Sequence, residues 1–290
     1  MRRGAGCRRQ GRRTAVAFLA SCNLPLAPCP LPLAKTMKLE YIPLLPVQRD
    51  LYQMPRGFGR FNEYIRTLRD EATGELKLPL VAMNPMGKDH LLPFVERLLA
   101  LAADGAASQV AAQVAQTLPA VPGDFRLSLV VADDLLGGWT NRYANELIQR
   151  SQPFVHRPRV WATPWITPLL WTSESYSIEQ VRAEVATACY RVVHYQLHGL
   201  PHTLGELLAQ EGYAMAHAGL TTPTLEAEDQ EYTRLVLAPY LYNEGQPTLI
   251  AALFGDDAAR QLGYTPLGLS PRAGLALALH DATRTRIAQI

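Results

Sequence analysis

The chain has 290 residues, 48% of them hydrophobic and 19% charged, with a formal net charge of +2. That composition supports a sizeable core in one large or two modest domains, and with 8% aromatic residues and charges of both signs it excludes an intrinsically disordered chain. Residues 1–36 hold seven basic and no acidic side chains, which leaves 21 basic against 26 acidic residues in 37–290, a net of −5. A mildly acidic body without a basic stripe argues against a nucleic-acid partner.

Residues 1–36, MRRGAGCRRQGRRTAVAFLASCNLPLAPCPLPLAKT, do not read as part of a fold. Three readings compete. In the first the gene start is misplaced, Met37 is the true start and the protein is cytoplasmic. In the second the leader exports the chain: Arg12-Arg13 before TAVAFLA resembles a twin-arginine signal, and LASC, ending at Cys22, resembles a lipoprotein cleavage box. Its apolar run of about eight residues lies near the lower bound for such a signal. The third reading is an organelle transit peptide. Charge balance, cysteine usage and periodicity all change near residue 37, which favours the first. Cys7, Cys22 and Cys29 lie in the leader and only Cys189 lies in the body, so no disulfide framework is available there and Cys189 is expected as a small buried side chain. No run reaches the roughly 18 apolar residues of a membrane span, so no integral membrane segment is expected.

In chain order, GFGRFNEYIRTLRDE (57–71) places Phe61, Tyr64, Ile65 and Leu68 on one helical face. LKLPLVAM (76–83) suits a short buried strand, broken by NPMGKDH (84–90). Two helices are expected next, the first from HLLPFVERLLALAADG and the second over 108–118. FRLSLVVA (125–132) predicts a strand, DDLLGGWT a loop, 141–151 a helix and RVWATPWI (159–166) a further strand. Ser177 with Gln180, and Thr203 with Glu206, fit capping boxes that open two longer helices, the first stopped by Gly199. Glu206 and Glu211 read mostly as the solvated face of the second, with Tyr213 half-buried. Residues 221–290 read as short helices. This order predicts an α/β or α+β fold. It has a small mixed or parallel sheet, flanking helices and a mainly helical C-terminal portion. Residues 37–220 form the α/β domain that carries the site, and 221–290 form an extension on the same core.

The densest chemistry is in VVADDLLGGWTNRYANEL (130–147). Asp133 and Asp134 fall where a buried strand ends, the place where open α/β sheets bind ligands. Gly137-Gly138 permit close backbone approach, and Thr140, Asn141 and Arg142 fall at a helix start suited to an anion. Arg142 can hold a carboxylate or phosphate through two hydrogen bonds, and Trp139 can cover a flat or sugar-like group. The same residues also suit a turn, a helix cap and a core plug. The loop 84–90 follows the same logic: Asn84 and Lys88 offer donors, while Asp89 and His90 offer proton transfer or metal ligation.

The leading expectation is a small-molecule site for an anionic or polyhydroxylated ligand at loops 84–90 and 133–142. The chemistry is hydrolase- or lyase-like. Asp133 or Asp134 serves as base or ligand to a divalent metal, His90 transfers protons, and Lys88 and Arg142 hold an anion. A non-catalytic binding or accessory protein is the first alternative. The second is a metal-dependent hydrolase built on His194 and His198. Their spacing resembles the zincin pair H-E-x-x-H, but Tyr195 stands where the general-base glutamate belongs. Trp161, Trp165 and Trp171 are expected mainly in the core.

Overall fold

A computed structural model of the chain describes residues 37–117, 122–135, 140–155 and 163–287. The leader, Gly137, Gly138, Trp139 and Trp161 lie outside the described residues. Strand β1 (Met37–Tyr41) is followed by helices α1 (Leu45–Gln53), α2 (Phe58–Leu68), α3 (Leu91–Ala100) and α4 (Ala103–Thr117). Then come β2 (Gly123–Leu127), β3 (Val130–Ala132), α5 (Arg142–Ser151), β4 (Trp165–Ile166) and β5 (Leu169–Trp171). The rest is helical: α6 (Ile178–His198), α7 (Leu204–His217), α8 (Ala227–Leu237), α9 (Gln246–Phe254), α10 (Asp256–Gln261) and α11 (Ala273–Ile287).

Among the described residues the five strands pair in parallel, with one isolated antiparallel bridge from Trp165 to Val155. β1, β2 and β4 form one sheet in that order, and β3 pairs with β5. The two sheets are one ribbon interrupted at Ser128–Leu129 and Thr167–Pro168. Backbone bonds from Ser128 to Ile166 and from Val130 to Pro168 carry the pairing across the break. Beyond Tyr41 the chain turns into α1, and Gln48 takes over the place of a strand. Its buried amide donates to the Leu129 carbonyl at 3.1 Å and accepts from the Val131 N–H at 2.8 Å. Those two edge groups would otherwise be buried without partners.

The expected α/β fold is the one observed, with a small parallel sheet, flanking helices and a mainly helical C-terminal half. One expected strand is absent. Residues 76–83 are buried at Leu80 and Met83 but run as irregular chain, with only a single bridge from Leu76 to Arg69. Pro79 has no N–H to offer a ladder. Side chains satisfy the carbonyls instead: Tyr64 donates to Leu80 at 3.1 Å and Tyr52 donates to Asn84 at 3.0 Å. The sheet gains β1 in its place. Of the last expected strand, 159–162 lie outside the described residues; its end is β4, from Trp165, and β5 follows it.

Both capping boxes are formed, Ser177 with Gln180 and Thr203 with Glu206. The helix expected from 141 starts at Arg142, capped by the Asn141 side chain, which accepts from the Ala144 N–H at 3.0 Å. Apolar side chains gather in two clusters. One packs α1–α4 and α6 on the strands, with Cys189 fully buried in it. The other joins α7, α9 and α11 to Leu147 of α5. Trp165 and Trp171 are buried as expected. Among the described residues, no single helix is long and apolar enough to cross a membrane.

Candidate functional site

In the β3–β5 pair Ala132 is registered with Trp171, so Asp133 and Thr172 leave the same sheet edge side by side. Asp133 is 1% exposed and meets donors from three segments. His90 Nε2 lies 2.9 Å from its Oδ1, the Leu135 N–H donates to Oδ1 at 3.2 Å, and Asn84 Nδ2 donates to Oδ2 at 3.4 Å. The Thr172 hydroxyl is 3.2 Å from Oδ1 of both Asp133 and Asp134, and its one proton serves one of them at a time. Burial opposes the charge on Asp133. The bonds from His90, the Leu135 N–H and Thr172 together outweigh it and hold the carboxyl below the usual carboxylate range. An ionised Asp133 can only accept, so His90 Nε2 carries the hydrogen, and in a neutral ring Nδ1 is then the lone-pair atom. That Nδ1 is buried and has no partner among the described residues.

The two loops picked out in the sequence are therefore in contact. Asn84 and His90 both reach Asp133, and the Thr140 hydroxyl is 3.4 Å from the Ala82 carbonyl. Asn84 also accepts from the Met86 N–H at 3.1 Å, which fixes the turn that delivers His90. The Met86 and Leu135 side chains are exposed beside these polar groups. Lys88 and Asp89 are exposed, and Asn141 acts as the α5 cap.

Asp134 and Arg142 are more fully engaged. Asp134 accepts from the Ser173 N–H at 2.9 Å and the Ser173 hydroxyl at 2.6 Å. Arg142 donates to Glu146 at 2.8 Å and Ser173 at 3.0 Å, pairs with Glu174 at 2.7 Å, and lies 3.5 Å from Asp134. Burial works against its charge, but Glu146 and Glu174 prevail and raise its pKa. Arg142 thus braces the strand ends against α5, and its guanidinium is already surrounded by carboxylates. Thr172, Ser173 and Glu174 belong to this site and the sequence reading missed them. The signal was available: they follow an apolar strand just as Asp133 and Asp134 do.

Behind Arg142 lies a buried charge network. Glu146 also pairs with Arg150 at 3.2 Å and Arg272 at 3.1 Å, while Glu211 pairs with Arg191 at 2.7 Å and Arg150 at 3.0 Å. This overturns the expected solvated place of Glu211, which is fully buried because two guanidiniums compensate it. Burial would raise the Glu146 carboxyl, but the arginines, with Arg150 foremost, bring it down to about 2.

His194 and His198 share a face of α6, with ring centroids 4.5 Å apart. Burial and then the neighbouring His198 push His194 down to about 4. Among the described residues no three His, Cys, Asp or Glu side chains gather as a metal site, so this pair lacks the third ligand that a metal-dependent hydrolase would use. The chain matches no protein-family model, no curated protein and no solved structure.

Proposed function

We infer that loops 84–90 and 133–142 bind a small molecule and that His90 is the proton-transfer group of a hydrolase- or lyase-like reaction. One observation carries this reading. Asp133 accepts from His90 Nε2, which orients the ring and leaves Nδ1, in its neutral form, as a base with no partner among the described residues. A carboxylate in this position also stabilises the imidazolium formed when Nδ1 takes a proton from water or substrate. Asn84 and Thr172 hold the carboxylate, while Arg142, Ser173 and Asp134 hold the strand ends. Because Arg142 already meets Glu146 and Glu174, the balance favours a hydroxyl-rich ligand over a strongly anionic one, with Lys88 left as the exposed cation.

The test is a screen of the full chain against chromogenic esters, phosphates and glycosides. Turnover of one class should fall at least about 100-fold in His90→Ala, the scale of a lost acid–base group, while melting stays within a few degrees. Turnover that survives in His90→Ala sinks the proposal. A non-catalytic binding or accessory role is the second reading. Its support is the exposure of Tyr232, Leu235, Leu241 and Tyr242 near α8, with Tyr242 91% exposed.

A further inference from the structure

A separate cavity of about 330 Å³ opens where α5, α6 and the start of α11 meet, within the range of small-ligand pockets. Four arginines line it: Arg142, Arg150, Arg191 and Arg272. Glu174 accompanies Arg142. Arg150, Arg191 and Arg272 form their close ion pairs with Glu146 and Glu211. A further carboxylate on the wall, Glu184, forms no close ion pair with these arginines, but its charge acts on Arg191, Arg150 and Arg272 and belongs in the same balance. What the guanidiniums leave over is hydrogen-bond capacity. Arg191 spends Nε and Nη2 on Glu211, and Arg272 spends Nη1 and Nη2 on Glu146. Nη1 of Arg191 and Nε of Arg272 donate to none of the described residues. Arg272 also sits at φ 58, a left-handed conformation that is strained for a residue with a side chain. Strain of this kind at a cavity wall is retained where position matters.

We propose that this cavity binds a small oxyanion, a phosphate or carboxylate group, through Arg191 and Arg272. Arg142 and Glu174 border both sites, but Arg191 and Arg272 belong to this one, so it stands or falls apart from the function proposed above. Charge-assisted bonds from guanidinium to oxyanion supply the affinity, and the buried Glu146 and Glu211 hold the donors in place.

Calorimetric titration of the full chain at fixed ionic strength, with inorganic phosphate and separately with succinate, tests it. Saturable binding of phosphate alone identifies a phosphoryl ligand, and binding of succinate alone identifies a carboxylate. Either supports the proposal, provided that Arg272→Gln weakens it at least about tenfold, the scale of one lost charge-assisted bond. Glu184→Gln, which removes a like charge from the wall, tightens it. No saturable binding of either anion overturns the site. So does binding unchanged in both variants, because the anion then lies elsewhere on the surface. Equal melting temperatures for wild type and Glu184→Gln keep that comparison free of folding effects.

Discussion

Replacing Glu146 by Gln keeps the shape of the side chain and removes the charge that three arginines share. A buried carboxyl held at about 2 instead of its ordinary 4.5 carries about 3 kcal/mol of favourable interaction in its charged form. The variant also leaves Arg150 buried with Glu211 as its remaining carboxylate partner, and breaking a buried pair from one side costs about 3–5 kcal/mol. Urea unfolding at pH 7 should therefore show a loss of at least about 3 kcal/mol, and melting should fall by roughly 6–12 °C for a domain of this size. The pH dependence has a fixed sign. A depressed carboxyl stabilises the fold fully above about pH 4.5 and loses that contribution as pH falls towards about 2. The gap between wild type and Glu146→Gln should therefore shrink to roughly half by pH 3. A loss under about 1 kcal/mol at pH 7, or a gap that does not change with pH, would refute the view that this network is held by charge.

Gln48→Leu strands the Leu129 carbonyl and the Val131 N–H without partners, and urea titration should register a loss of about 2–4 kcal/mol. Gly274→Ala places a Cβ 2.2 Å from the Ala252 carbonyl oxygen, so α11 must part from α9, and at least about 2 kcal/mol should be lost by the same measurement. His194→Phe should flatten the acid limb of stability. His194 titrates near 6.5 when unfolded and at about 4 in the fold, so wild type loses stability as pH falls from about 6.5 to about 4. Equal slopes for wild type and His194→Phe across that window would show that the ring does not titrate as described.

Helices were legible where caps and apolar spacing agreed. Ser177 with Gln180 and Thr203 with Glu206 mark the starts of α6 and α7 in one dimension, and both boxes form. Strands were less legible, because a short buried apolar run has the same composition whether or not it joins a ladder. Leu80 and Met83 are as buried as a strand would make them, yet Pro79 and the hydroxyls of Tyr52 and Tyr64 replace the ladder bonds. Gln48 reverses that case. A polar residue within a helix completes the sheet edge, and nothing in its neighbours announces the role.

The strand-end site was half legible for the same reason. Asp133 and Asp134 follow an apolar run, so their place at the sheet edge could be read directly. Thr172, Ser173 and Glu174 required the correct end of the neighbouring strand. The arginine network was harder still. Arg142, Glu146 and Arg150 recur every four residues along α5, which reads by default as a solvated charged stripe laced by ion pairs. What buries it is Glu211 and Arg272, roughly 60 and 120 residues away, whose charges make the burial of Glu146 and Arg150 affordable. Hydrophobic periodicity cannot reveal a face buried by charge compensation, because the compensating groups appear in sequence as charges on other elements. Only when α5, α6, α7 and the start of α11 are brought together does the stripe become a wall, and only then does the excess of guanidinium donors over buried carboxylates become visible.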